Sequence, residues 1–177
     1  EALKPIWGLE RLENMLEHTH PMVRAFAIRR IAAFDDENTV EKLIAKITDE
    51  TASVARSAID ALSDLKAEAA IEPLSEIFAN SEGDVAADAA VALGRIKPQA
   101  LVDLVKKRGR LDDYAYAITT MQLARTENND AHNYLAKAMD RAGALSPGRR
   151  IALYTAALMS GKSKLAKRVL ATAILES

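Results

Sequence analysis

The sequence holds no cysteine. That absence removes disulfide frameworks, zinc–thiolate sites, iron–sulfur clusters and a cysteine nucleophile. Glycine and proline are scarce, at seven and five in 177 residues, few for the many tight turns of an all-β fold. Aromatic residues make up only 5% of the chain, with one tryptophan. No apolar run approaches the roughly 18 residues that a membrane span needs, so no membrane partner is expected. Histidine is limited to His18, His20 and His132. The first two fall in Glu17-His18-Thr19-His20, where a helix ends and an imidazole interacts well with the helix dipole. His132 has no evident triad partner. No metal, no cofactor and no enzymatic activity are expected.

What is present is a soluble, globular composition: 49% hydrophobic and 28% charged residues, with a net charge of −1. By length the chain reads as a single domain over 1–177. It opens on Glu1 rather than methionine, as a processed or excised chain would. The compartment is not written in the sequence, with the cytoplasm slightly favoured.

The dominant signal is a 31-residue repeat. Leu9, Val40, Ile71 and Val102 are evenly spaced, as are Leu12, Leu43, Leu74 and Val105, and Leu16, Ile47 and Phe78. Within a repeat these positions are three and four apart, one face of a helix. A second ladder runs through Val23, Val54 and Val85, then Ala27, Ala58 and Ala89, then Ile31, Leu62 and Leu93, then Phe34, Leu65 and Ile96. Each repeat is therefore two amphipathic helices, A and B. Pro21 suits a helix start and Asp84 an N-cap. Pro98 stops the helix before it, and Asp35-Asp36-Glu37-Asn38 reads as a turn leading into a cap. The expected repeats are 7–34, 38–65, 69–96, 98–125 and 129–160, followed by a capping helix over 162–175. That last helix carries Leu165, Val169, Leu170, Ala173 and Ile174 on one face. Trp7 is expected to cover the open end of the stack. A pair of such helices cannot bury both apolar faces alone, whereas stacked neighbours can.

Asp84-Val85-Ala86-Ala87-Asp88-Ala89-Ala90-Val91-Ala92-Leu93-Gly94-Arg95-Ile96 resembles the second helix of a HEAT repeat, and especially the short type called the phycobilisome-lyase HEAT-like repeat. Pro21-Met22-Val23-Arg24 and Ala70-Ile71-Glu72-Pro73-Leu74 fit the same pattern. Of the Asp and Arg that the family often carries near the start of helix B, Arg24 is present, with Ala55 and Ala86 in the later equivalents. The resemblance implies an all-α, armadillo-like, right-handed α-solenoid of about five antiparallel helix pairs plus a terminal helix. Its A helices would lie outside and its B helices would line a concave face. A tetratricopeptide array has a period of 34 and an aromatic signature missing here.

Two short motifs carry no chemistry. Ser160-Gly161-Lys162-Ser163 lacks the upstream glycine and strand of a phosphate-binding loop and reads as a helix-to-helix turn. Ser63-Asp64-Leu65-Lys66 lacks the companion motifs of the penicillin-interacting enzymes.

The small net charge hides an asymmetry. Residues 1–96 carry 10 Lys and Arg against 18 Asp and Glu, a balance of −8; residues 97–177 carry 14 against 7, a balance of +7. All four tyrosines lie in the basic half. The sequence thus points to a protein-interaction scaffold or adaptor with a polar, mixed concave face and an acidic protein partner. Its candidate contact residues are Arg29, Arg56 and Asp60 on the B helices, and Lys106, Lys107, Arg108, Arg110, Arg149 and Arg150 in the basic half. Met22, Ser53, Ser63 and Asp84 project to the same side as the first group. The alternative is nucleic acid held through its phosphates by the basic half, with tyrosines stacking on bases. A third reading, drawn from the name of the repeat, is a chaperone-like subunit of a bilin lyase. Opposite charge poles also allow self-association of the chain.

Overall fold

The helical spacing of the apolar columns is realised throughout the computed structural model, which describes residues 8–34 and 37–175. Among these residues there is no strand. The eleven helices are α1 (Leu9–Met15), α2 (Pro21–Ile31), α3 (Glu37–Lys46), α4 (Ala52–Asp64), α5 (Ile71–Asn80), α6 (Gly83–Ile96), α7 (Pro98–Arg108), α8 (Asp113–Arg125), α9 (Asn129–Met139), α10 (Pro147–Met159) and α11 (Ser163–Leu175). Trp7, Asp35 and Asp36 lie outside the described residues, as do the side chains of Leu170, Ala173 and Ile174.

Helix starts follow local chemistry. Pro21, Pro98 and Pro147 sit in the first turns of α2, α7 and α10, where a missing N–H costs nothing. Two starts differ from expectation. α3 opens at Glu37, so Glu37 and Asn38 belong to the helix rather than to the turn before it. Asp84 lies inside α6 and is not its cap. The Gly83 N–H instead donates to the Asp112 carboxylate at 2.8 Å. Gly83 has φ +57°, a left-handed conformation that glycine enters without a steric penalty.

The chain divides into two compact units, residues 1–73 and 74–177, with the boundary inside α5. In the first unit α2 packs on α1 and α4, and α3 packs on α4. Its core is built from the ladder residues Leu12, Leu16, Ala27, Ile31, Leu43 and Ile47, with Val54, Ala58 and Leu62. The small side chains of Ala27 and Ala58 are both fully buried. The turn after α1 is fastened to the turn after α3 by Arg24. Its Nε and Nη2 donate to the two Asp49 carboxylate oxygens at 2.9 and 2.8 Å. Its Nη1 donates to the carbonyls of His18 and Thr19. Both side chains are only 7% exposed.

In the second unit α6, α8 and α10 lie side by side, α7 packs on α9, and α11 packs on α9 and α10. Leu74, Phe78, Ala89, Leu93, Leu101, Val105, Leu123, Leu135 and Leu153 are buried. Val85, placed in the apolar ladder by its spacing, is 47% exposed. The alanines of α6 explain the difference: Ala86, Ala87, Ala89, Ala90 and Ala92 are all buried, so the helix presents a broad small-residue face inward and leaves Val85 outside it. Gly94 lets α8 come close, because a Cβ there would meet Gln122 Cγ at 2.5 Å.

Candidate functional site

The outward faces of the B helices come first. Arg29, Arg56 and Asp60 are all exposed on α2 and α4, and Arg29 Nη1 donates to Ser57 Oγ at 3.3 Å. Met22 is 75% exposed on the same side of α2 as Arg29, seven residues on. Ser63 was expected on this face and is buried instead; it sits in the last turn of α4, where the small side chain is covered. Asp84 is exposed on α6. In the second unit the outward face changes character. Tyr114 on α8 and Ile151 and Leu158 on α10 are 52%, 67% and 52% exposed, an apolar series where the sequence suggested a polar one.

The basic residues of the second unit divide into two groups. Arg108 donates to the Ser81 carbonyl and stands 5.0 Å from the centre of the Phe78 ring. Arg149 donates to Asp113 and to the Leu111 carbonyl, and stands 5.4 Å from the Tyr116 ring. Arg150 is half-buried, with its Nε enclosed. Arg168 donates to the Ala136 carbonyl and the Asp140 carboxylate. Arg108, Arg149 and Arg168 thus hold one repeat to the next. Lys106 is exposed and stays near 4 Å from Asp103 and Asp130, where solvent screening leaves little attraction. Lys107 and Arg110 are exposed and, among the described residues, their side chains have no partner.

One 31-residue step beyond Lys106 and Arg110 stand Lys137 and Arg141. Both are exposed, and their side chains have no partner among the described residues. They line a cleft of about 370 Å³ together with Tyr116, Tyr134 and Arg149, a volume in the range of ligand pockets. The cleft is formed by the end of α7, by α8 and α9, and by the turn into α10. Both phenols are protonated donors at neutral pH, as tyrosine ordinarily is, and burial extends that range by pushing Tyr116 up to about 12 and raising Tyr134. None of the residues lining the cleft is acidic, and Asp113 beside it is taken up by Arg149. Of this group, sequence reasoning named Arg149 as a contact residue and the two tyrosines only as stacking rings, and it did not name Lys137 or Arg141. The signal that finds Lys137 and Arg141 is the repeat period applied to charges rather than to apolar residues.

The histidine pair caps a helix. His18 Nδ1 accepts from the His20 N–H at 3.0 Å, and His20 Nδ1 accepts from the Met22 N–H at 3.2 Å at the start of α2. Ser160-Gly161-Lys162-Ser163 joins α10 to α11, with Ser160 Oγ accepting from the Lys162 N–H. Gly161 there has φ +63°. No cluster of three or more metal-ligating side chains occurs among the described residues, and no helix among them is long and apolar enough to cross a membrane.

A search of curated proteins finds no match. The model of one family, described as HEAT repeats, matches residues 9–94. That span covers α1 to α5 and most of α6, the helices in which the apolar ladder is cleanest. Residues 9–94 are thus similar to HEAT repeats, and the chain has the all-α, helical-repeat fold of a solenoid.

Proposed function

We propose that the protein is a non-catalytic interaction scaffold that binds a protein partner carrying both apolar and acidic surface. The observation behind this reading is the outward face of α8 and α10, where Tyr114, Ile151 and Leu158 stand half or more exposed. Single exposed apolar residues are ordinary, but a series on neighbouring helices marks an interaction surface. The unpartnered cations Lys107, Arg110, Lys137 and Arg141 in the same unit favour an acidic partner. HEAT repeats commonly serve as such scaffolds, which agrees with the family match over residues 9–94.

The burial of the tyrosines argues against the nucleic-acid reading. Stacking needs an open ring, and only Tyr114 of the four is exposed. Arg108, Arg149 and Arg168 are also committed to protein groups. The test is affinity capture with the whole protein beside a variant carrying Tyr114→Ser, Ile151→Ser and Leu158→Ser. A partner retained by the parent and lost by the folded variant supports the reading. Equal capture by both removes it. A mobility shift with mixed single- and double-stranded oligonucleotides at low salt, weakening linearly in log affinity against log salt, would install nucleic acid in its place.

A further inference from the structure

Donors surround the cleft of the second unit, and none of the residues lining it supplies a carboxylate to meet them. Lys137 and Arg141 bring unpartnered positive charge. Tyr116 and Tyr134 bring hydroxyls that have no hydrogen-bond partner among the described residues. Leu111 and Leu145 provide apolar wall between them. A site of this composition suits an anion attached to an apolar body.

The charges also continue past the cleft. Arg110 lines the adjoining hollow, which shares Leu111 and Arg149 with the cleft. Two of the three carboxylates in that hollow are already engaged, and the third, Glu82, is exposed to solvent. Asp112 accepts from the N–H groups of Gly83, Tyr114 and Ala115, and Asp113 accepts from Arg149. Lys106 and Lys137, and Arg110 and Arg141, are each one repeat apart. Packed helices stand about 8–10 Å from one another, and an extended chain advances about 3.3 Å per residue. Cations one repeat apart therefore match carboxylates about three residues apart on an extended strand.

We propose that the cleft is the docking point for an extended acidic peptide of the partner, with one apolar side chain between Leu111 and Leu145 and carboxylates on the repeated cations. The proposal rests on the reading of the chain as a protein-binding module and deepens it by naming the segment recognised. A lone small acid would use the cleft but not the cations beyond it.

The test uses the whole protein and fluorescence anisotropy. The probes are a short labelled peptide with glutamate at every third position and leucines between, the same peptide with glutamines, and free hexanoate as competitor. The glutamate peptide should bind at low salt, and the glutamine twin should not. The double variant Lys137→Gln, Arg141→Gln should bind at least about tenfold more weakly, since both charges face the ligand. Tyr134→Phe should weaken binding by a smaller factor. Both lysine and arginine side chains are exposed, so the variant should keep its far-ultraviolet circular dichroism. Unchanged affinity in the double variant would overturn the proposal, as would failure of the peptide to bind at millimolar concentration. Hexanoate binding as tightly as the peptide would make the cleft a small-acid site instead. Partner capture through Tyr114, Ile151 and Leu158 uses other residues. If it persists while the peptide fails, the cleft alone is wrongly assigned.

Discussion

Replacing Asp49 with asparagine removes one charge from the pair that holds the turn after α1 to the turn after α3. The Arg24 guanidinium would keep the His18 and Thr19 carbonyls and the solvent-exposed Glu50 carboxylate at 3.6 Å, but lose its one enclosed counter-ion. Leaving a buried charge uncompensated costs far more than breaking an exposed pair. Asp49→Asn should therefore lower the thermal midpoint clearly, while Glu13→Gln, which removes the half-exposed partner of Lys42, should leave it nearly unchanged. Equal effects would show that the Arg24 pair is no more than a surface contact. Gly94 offers a second residue-level test. Alanine there gains about 1 kcal/mol of helix propensity, but its Cβ would overlap Gln122, and overpacking costs about 1–3 kcal/mol. Gly94→Ala should destabilise, and adding Gln122→Ala should recover stability, with a coupling of about 1 kcal/mol or more in a double-mutant cycle. Additive effects would mean that the two helices adjust freely.

At the scale of elements, the turns between A and B helices are joined from repeat to repeat by different side chains in the same role. Arg24 and Asp49 do it in the first unit. In the second, Asp112 reaches Gly83, and Arg149 reaches Asp113 and Leu111. α11 is fastened in a similar way by Arg168 and buries Leu165 and Val169. Deleting residues 162–177 should uncover apolar surface on α9 and α10 and promote aggregation, as loss of a terminal repeat element does. Light scattering on heating checks this, and a truncated chain as monomeric and as stable as the parent would deny α11 a capping role. The helices were legible because Leu12, Leu43 and Leu74, or Ile31, Leu62 and Leu93, repeat on a buried face. Periodicity fades after residue 105 for a physical reason. α8 buries Thr119, Thr120 and Gln122 beside Ala115, Leu123 and Ala124, so its inward face is only partly written in apolar residues. Thr120 satisfies itself by donating to the Tyr116 carbonyl. The cleft was harder still to read, since it joins residues from four helices and two turns, and burial turned Tyr116 and Tyr134 from stacking candidates into enclosed donors. A projection on a helix wheel could not show that Arg108 and Arg149 fold back onto carbonyls.

For the whole molecule, pH should act unequally on the two units. Asp49 is held below the usual carboxylate range chiefly by its hydrogen bonds from Arg24, and Asp112 chiefly by the Ala115 N–H. A carboxylate lowered in the folded state adds stability above its unfolded value near 4, and that stability is lost as pH falls through the lowered value. One such group lies in each unit, so acid should loosen both. The alkaline side differs. Tyr116 is pushed up to about 12 by burial, and Tyr134 is raised by the same cause. A phenol raised in the folded state contributes fully below its unfolded value near 10 and loses that contribution as pH climbs toward the raised one. Both of these tyrosines are in the second unit. Between about pH 10 and 12, hydrogen exchange should therefore lose protection in α8 to α10 before it does around Val54 and Leu62. Lysines neutralise over the same range, and they lie in both units, so a control is required. The double variant Tyr116→Phe, Tyr134→Phe keeps the rings and removes the titrating hydroxyls. It should hold the second unit together to higher pH than the parent. If the variant loses protection in α8 to α10 at the same pH as the parent, the buried phenols do not set the alkaline limit.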